Sequence, residues 1–128
     1  MSQQRNQPLS GGSAVDVAAL ELTQQPVQAH QNAGIPTTTG VQSLGAIGSA
    51  AFGVWEMSQG KMYDVEAEEI FVITAGRGSV YIAEFNGAPE HTVELFPGVL
   101  MRLSAGMRTT WSVSQALRKV YITPREES

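Results

Sequence analysis

GKMYDVEAEEIFVITAGRGSV, residues 60–80, contains two runs of strand-forming residues on either side of an acidic loop. The first run covers residues 61–65. The second, residues 69–74, is almost continuous in apolar and β-branched side chains, which favour strands. Gly76 and Gly78 follow, and glycines at this spacing supply the positive φ angles of a tight turn. The stretch therefore predicts two strands and a turn, with three glutamates and no histidine around the loop.

The rest of the second half continues this succession of strand and turn. Asn86-Gly87 is the strongest hairpin signal in the chain, and Pro97-Gly98 stops a further strand. From residue 51 onward the pattern predicts about eight strands, spaced roughly 8–12 residues apart, which is typical of a sandwich or barrel. We therefore assign the chain to the all-β class.

Composition excludes several kinds of function. The 128 residues suit one domain with an arm, and the net charge is −4. The absence of a basic run argues against a nucleic-acid partner. Without cysteine, disulfide and thiol chemistry are excluded. The N-terminus is polar and no apolar run approaches the 18 residues of a membrane span, so we expect a cytoplasmic protein with no membrane partner.

The chain divides into four segments by composition. Residues 1–15 are rich in Gln, Ser and Gly and are expected to be disordered. Residues 16–50 are predicted to form an extended N-terminal arm that packs on the barrel or on a partner subunit. Residues 51–124 form the predicted barrel, and residues 125–128 form a tail.

The second half resembles the cupins, which are small jelly-roll β-barrels. Within that superfamily it is similar to the ethanolamine-utilisation and ureidoglycine aminohydrolase cupins. The match extends from residue 53 to residue 123. It is carried by Gly53-Val54-Trp55-Glu56, Gly60, Glu68-Glu69, Gly76, Phe96-Pro97-Gly98, Ala105-Gly106-Met107, Thr110-Trp111-Ser112-Val113 and Arg118-Lys119-Val120-Tyr121. The resemblance implies a single cupin barrel, and members of this group differ in function.

The resemblance also locates where a metal would be bound. In metal-binding cupins the first half-motif follows the pattern His-x-His-x4-Glu. A third histidine lies three residues after the glycine of the second half-motif. With Glu69 at the glutamate position, Met62, Asp64 and Thr109 stand where the histidines would be. Because thioether, carboxylate and hydroxyl ligands do not suit one kind of ion, we expect no bound metal and no other cofactor. A metal held by carboxylates stays open as an alternative.

Side-chain alternation predicts which residues face the barrel interior. If Glu69 points inward, as the resemblance implies, Phe71 on the same strand and Asp64 on the neighbouring strand do so too. We therefore expect a cavity with Asp64 and Glu69 as candidate catalytic residues. The candidate ligand-binding residues are Trp55, Met62, Phe71, Thr109 and Trp111. Ordinary core packing of the aromatic rings is the alternative.

The predicted acid pair suggests proton transfer. Two carboxylates in one confined cavity cannot both ionise freely, so the pKa of one should rise, as in an acid/base pair. On that basis, Glu69→Gln should relieve repulsion and leave the barrel equally or more stable. The alternative is that Glu66, Glu68 and Glu69 form a solvated loop. The Arg118-Lys119 pair is expected at the surface or rim.

Three functions follow from these residues. The first is a metal-independent isomerase, lyase or hydrolase that uses the cavity carboxylates on a small metabolite. The second is a non-catalytic binding or accessory protein, and the third is a metalloenzyme with carboxylate ligands. Ile70 and Val72 make the outward face of their strand apolar, so either the arm or a second subunit must cover it, and we expect a homodimer.

Overall fold

The computed structural model describes residues 9–125. Within this range the chain is built from strands, with one short 3₁₀ turn at Ala29–Gln31. The strands are β1 (Gln25–Pro26), β2 (Thr38–Ile47), β3 (Ala50–Met57), β4 (Gly60–Val65), β5 (Glu69–Ile82), β6 (His91–Leu95), β7 (Leu100–Leu103) and β8 (Arg108–Pro124). This confirms the all-β class. No helix in the described range is long and apolar enough to cross a membrane.

All eight strands belong to one antiparallel sheet. Its order is β1-β2-β3-β8-β5-β6, with β4 also paired to β8 and β7 to β5. The two long strands, β5 and β8, pair with each other and form the centre of the sheet. Each has different partners along its length. The first part of β8 pairs with β4 and its second part with β3, whereas β5 pairs with β7 first and with β6 later.

The centre of the sheet bends where β5 and β8 change partners. The register between the two strands shifts between Ile73 and Gly78, where β-bulges interrupt the ladder. Gly76 lies in this bend at φ +94°, and a Cβ there would overlap the carbonyl oxygen of Ala116. Only glycine allows both that φ and that close approach. The bend folds the sheet over on itself, as a jelly-roll barrel requires.

The core lies between the two halves of the folded sheet. It contains residues from every strand between β3 and β8. The fully buried members include Met57, Phe71, Leu95, Leu103, Trp111 and Leu117. Side chains from strands that are distant in sequence therefore meet in one apolar cluster.

The N-terminal half contributes more to the sheet than the sequence suggested. The expected boundary placed residues 16–50 in an arm, yet β2 pairs with β3 from Thr39↔Met57 to Ile47↔Ala50. The sheet therefore begins before residue 51, because β2 supplies backbone partners to β3 although it is poor in large apolar residues. The segment before β2 contains turns and the 3₁₀ turn, and it contacts Arg118, whose Nη1 donates to the carbonyl of Val17 at 2.5 Å.

The prediction of disorder for residues 1–15 lies partly outside the described residues. From residue 9 onward the chain has defined contacts, and the N–H of Leu9 donates to the carbonyl of Leu44 at 2.6 Å.

Candidate ligand-binding site

A cavity of about 230 Å³ opens beside β3, β8 and the loop that joins β4 to β5. Small apolar residues line part of it, and charged and aromatic residues line the rest. The charged and aromatic residues are Trp55, Asp64, Glu66, Glu69, Trp111, Lys119 and Tyr121. Three acids and one base thus share a volume below the roughly 300–1,000 Å³ of pockets for drug-sized ligands.

Lys119 lies on the inward face of β8 with its ammonium group inside a cage of aromatic rings. Its Nζ is 4.6, 4.3 and 4.9 Å from the ring centroids of Trp55, Phe71 and Trp111. These distances are within the range of cation–π attraction. The same Nζ is 2.9 Å from Oε2 of Glu69, and the side chains of Lys119 and Glu69 are 6% and 13% exposed. The result is a buried ion pair with aromatic faces around the cation.

Strand register assembles this cage. Trp55 on β3 and Ile73 on β5 are both paired with Lys119, so Trp55 lies directly across from the lysine. Phe71 lies two residues before Ile73 on the same face, and its ring centroid is 5.9 Å from that of Trp111. Trp55 and Trp111 are 5.4 Å apart, centroid to centroid. The cage is therefore built from three strands and depends on their pairing.

Glu66 is a buried carboxyl group in the loop between β4 and β5, and it is 8% exposed. Its backbone N–H donates to the carbonyl of Met107, and its carbonyl accepts from the N–H of Gly106, both at 2.8 Å. These bonds fix the loop against the start of β8. Two side chains donate to the carboxylate oxygen Oε2, namely Oγ1 of Thr109 at 2.6 Å and Nε1 of Trp111 at 2.9 Å. Oε1 is then the oxygen available to hold a proton.

Several opposing effects act on the ionisation of Glu66. Burial raises the pKa of its carboxyl group above the ordinary value, and the charge of Asp64 raises it further. The hydrogen bonds from Thr109 and Trp111 and the charge of Lys119 lower it, but burial has the largest effect. Glu66 therefore holds its proton to higher pH than an exposed glutamate does.

Asp64 lies on the same side of the cavity as Glu66. It is paired with Thr109 across β4 and β8, which places it beside the hydroxyl that donates to Glu66. Its Oδ1 accepts a hydrogen bond from Nε2 of Gln31 at 3.3 Å. Gln31 belongs to the 3₁₀ turn, so the N-terminal segment contacts a carboxylate of the cavity.

The family is decided by a match over most of the barrel. The family model described as the EutQ-like cupin domain matches residues 44–121, which is more than half of the chain. The chain belongs to the EutQ-like cupins. No curated protein sequence matches it significantly.

Solved structures show the same cupin fold. The EutQ protein of Clostridium difficile is 15% identical, with 90% of this chain and 88% of that chain covered and a TM-score of 0.62. A protein of unknown function from Rhizobium leguminosarum is 21% identical, with 69% and 82% covered and a TM-score of 0.55. A cupin 2 conserved barrel domain protein from Rhodopseudomonas palustris is 11% identical, with 84% and 74% covered and a TM-score of 0.56. At these identities the likeness concerns the fold alone.

The cavity of this cupin does not fit a transition metal. Met62 is buried in the core, Thr109 donates to Glu66, and Glu69 is paired with an ammonium group. That leaves Asp64 alone at the four positions where a metal-binding cupin has its ligands. Among residues 9–125 there is no group of three or more His, Cys, Asp or Glu that could hold a metal ion. A lysine ammonium in the cavity would also repel a cation.

The predicted site residues lie in three different environments in the structure. Trp55, Asp64, Glu69 and Trp111 line the cavity together. Met62 and Phe71 belong to the buried core, with Phe71 also forming one wall of the lysine cage. Thr109 is buried and positions Glu66.

Three charged or aromatic residues of the cavity, Glu66, Lys119 and Tyr121, were not among the predicted site residues. Lys119 was expected with Arg118 at the surface or rim, and both are in fact buried. Alternation along β8 from Trp111 would have placed Lys119 inward, because the two are an even number of residues apart. Arg118 faces outward, where Glu56 and the N-terminal segment cover it.

The alternative that Glu66 belongs to a solvated loop is wrong, because Glu66 is buried. It lies outside the strands, so periodicity says nothing about its side chain. Only contact with Thr109 and Trp111 from β8 turns it inward.

Proposed function

We propose that this cupin acts on a small metabolite by metal-independent proton transfer, with Glu66 and Asp64 as the acid/base pair. The observation that carries the proposal is the buried carboxyl group of Glu66, which lies beside a second carboxylate in a cavity open to small molecules. A carboxyl group whose pKa is raised keeps its proton to higher pH, so it can act as a general acid there. The reaction classes that need this are isomerisation, elimination and hydrolysis.

The expected roles differ from the pair suggested by the sequence. Glu69 is held by Lys119, so Asp64 finds its partner carboxyl in Glu66 instead. In this arrangement Glu66 gives its proton to a leaving or rearranging group from Oε1. Asp64, which the Gln31 side chain contacts, takes a proton from the substrate. The aromatic faces of Trp55 and Trp111 then contact the apolar part of the metabolite.

The test is a screen for ligand stabilisation followed by turnover. A library of small aldehydes, ketones, amines and carboxylic acids is tested by thermal shift, since a ligand bound only by the native state raises its melting temperature. Compounds that stabilise the protein are then incubated with it and examined for chemical change. Glu66→Gln should slow turnover by roughly 10²-fold or more. The matched control is Glu84→Gln, because Glu84 is exposed and lies away from the cavity.

A non-catalytic binding or accessory protein is the second candidate, and it is favoured by the aromatic cage. The same screen separates the two. If a compound stabilises the wild type and Glu66→Gln alike and is recovered unchanged, the cavity binds without catalysis. If only the wild type changes the compound, the acid/base proposal stands.

We also infer a homodimer, formed through an outer apolar patch of Ile70, Val72, Leu100, Val120 and Ile122. Ile70 is paired with Ile122, and Val72 with both Val120 and Leu100, so the five side chains are contiguous. Ile70 is 39% exposed, Ile122 46% and Leu100 70%. Contiguous exposed apolar surface favours association. Light scattering should report a dimer that Ile122→Glu dissociates, whereas Val65→Glu, at an exposed position outside the patch, should not.

A further inference from the structure

The ammonium group of Lys119 has a chemical capability that the acid/base proposal does not use. Lys119 lines the cavity, and its Nζ is 2.9 Å from Oε2 of Glu69, a proton acceptor. Glu66, a proton donor, lines the same cavity, and the charge of Lys119 acts on its ionisation. A lysine acts as a nucleophile in its neutral form, so it must first lose a proton, and Glu69 is placed to accept that proton.

We propose that Lys119 forms an imine with the carbonyl carbon of a small aldehyde or ketone, and that carbonyl compounds are the substrate class of the cavity. The proposal rests on the proposed function in one respect, namely that Glu66 supplies the proton to the departing oxygen. It names a covalent step and a nucleophile that the acid/base pair alone does not need.

The step balances within the cavity. Lys119 gives one proton to Glu69, and the nitrogen lone pair forms a bond to the carbonyl carbon while the C=O π electrons move to oxygen. The nitrogen then loses a second proton and the oxygen gains one, which yields a neutral carbinolamine. The Glu66 carboxyl protonates the hydroxyl, the C–O bond breaks, water leaves and the nitrogen lone pair forms the C=N bond. The proton held by Glu69 returns to Glu66, so both carboxyl groups end as they began.

The aromatic cage can hold the nitrogen in both end states, because the charge on the nitrogen is the same before and after the reaction. Both the ammonium and the protonated imine carry one positive charge, and that nitrogen lies within 4.3–4.9 Å of the centroids of Trp55, Phe71 and Trp111. A protonated imine also withdraws electrons from the α-carbon, the carbon bonded to the imine carbon. A carboxylate such as Asp64 can then remove a proton from the α-carbon, which is the step that an isomerase or lyase needs.

The sequence provides an internal control, since it contains two lysines, Lys61 and Lys119. Lys61 lies on β4 between two residues that are buried, and so on the opposite, outward face. The folded protein is incubated near neutral pH with propionaldehyde and sodium cyanoborohydride, which reduces an imine to a stable secondary amine. Peptide mass spectrometry then follows the modification of each lysine over time.

We expect Lys119 to be modified at least about tenfold faster than Lys61, because positioned proton donors and acceptors accelerate imine formation. Burial alone would make Lys119 the slower of the two. In concentrated urea the two lysines should react at the same rate. If Lys61 reacts as fast as Lys119 in the folded protein, or faster, the proposal is overturned.

Two variants separate this proposal from the one on which it rests. In Glu66→Gln, modification of Lys119 should slow while that of Lys61 is unchanged. If Lys119 still reacts at the wild-type rate, the imine stands and the role of Glu66 is wrong. If Lys119 fails to react in the wild type although turnover of some compound depends on Glu66, the imine is wrong and the acid/base proposal survives. Lys119→Arg keeps the positive charge but cannot form an imine, so it should abolish the modification at this position.

Discussion

Two adjacent glutamates, Glu68 and Glu69, form ion pairs on opposite faces of the same sheet. Glu68 lies outside, 2.5 Å from Nη2 of Arg102, and the two side chains are 35% and 68% exposed. Glu69 lies inside, 2.9 Å from Nζ of Lys119, and both side chains are nearly buried. The pairs have similar lengths and the same charges, and they differ in how much water surrounds them.

This difference determines what each pair contributes. Water and salt screen the outer pair, so it contributes little to the free energy of unfolding. The inner pair has lost its hydration, and each charge depends on the other and on the aromatic rings around Lys119. The inner face is therefore sensitive to single substitutions that the outer face should tolerate.

The largest effect is expected from the side chains next to the two glutamates. Phe71 is fully buried, whereas Ile70 is 39% exposed on the outer patch. Phe71→Ala should lower the free energy of unfolding by about 3–5 kcal/mol, because it leaves a void in the core and opens the lysine cage. Ile70→Ala should cost under about 1.5 kcal/mol in the monomer. Urea denaturation of both variants measures the difference. Equal losses would mean that the outer face is as buried as the core in the assembled protein.

Next in size is the effect of breaking the inner ion pair. Glu69→Gln should destabilise the protein by about 3 kcal/mol, because it leaves the Lys119 charge in the barrel without its partner. The expectation from sequence had the opposite sign, since it assumed repulsion between Glu69 and Asp64. Glu68→Gln, the matched change outside, should alter the denaturation midpoint little, and less still at high salt. A stable Glu69→Gln protein would show that the aromatic rings hold the cation alone.

The pH dependence of stability should differ in sign between Glu66 and Glu68. The pKa of Glu66 is raised, chiefly by burial, so the folded state keeps a proton that the unfolded state has lost. Stability should therefore fall as pH rises from about 4.5 through the folded-state pKa. The pKa of Glu68 is lowered by the hydrogen bond from the N–H of Ala105 and by Arg102. The stabilisation from Glu68 should be present above about pH 4.5 and be lost as the pH falls toward the folded-state pKa.

Melting temperatures between mildly acidic and neutral pH test this sign difference. Glu66→Gln should reduce the fall in melting temperature toward neutral pH. Glu68→Gln should reduce the fall in melting temperature on acidification. If Glu66→Gln leaves the profile unchanged, Glu66 ionises in the native protein as it does in the unfolded chain.

The smallest effect is expected from metal removal. Dialysis against EDTA should leave the melting temperature unchanged, because the inner face presents an ammonium group and hydrogen-bonded carboxyls rather than a ligand set. The control is a second dialysis with added Zn²⁺ or Mn²⁺, which should not raise the melting temperature. Elemental analysis showing about one metal per chain, lost in Asp64→Ala, would contradict this.

Side-chain alternation accounts for most of what could be predicted about the site. It placed Phe71 and Trp111 inside, and both are buried. It also implied the outward position of Ile70. Applied along β8, the same rule places Lys119 on the inward face, so its position could have been predicted from the sequence. The rule fails at Glu66, because a loop residue has no fixed period.

What the sequence determined by itself is the succession of strands and turns and the face on which each strand residue lies. The reason is local, since alternation and turn chemistry depend on residues that are near one another in the chain. Which charges meet depends on the tertiary structure. Lys119 reaches Glu69 because β8 pairs with β5 around the bend at Gly76, and Glu66 turns inward because donors on β8 meet it there. These pairings join residues more than 40 positions apart in the chain. The strength of their electrostatic interactions depends on burial, which arises only when the strands pack together.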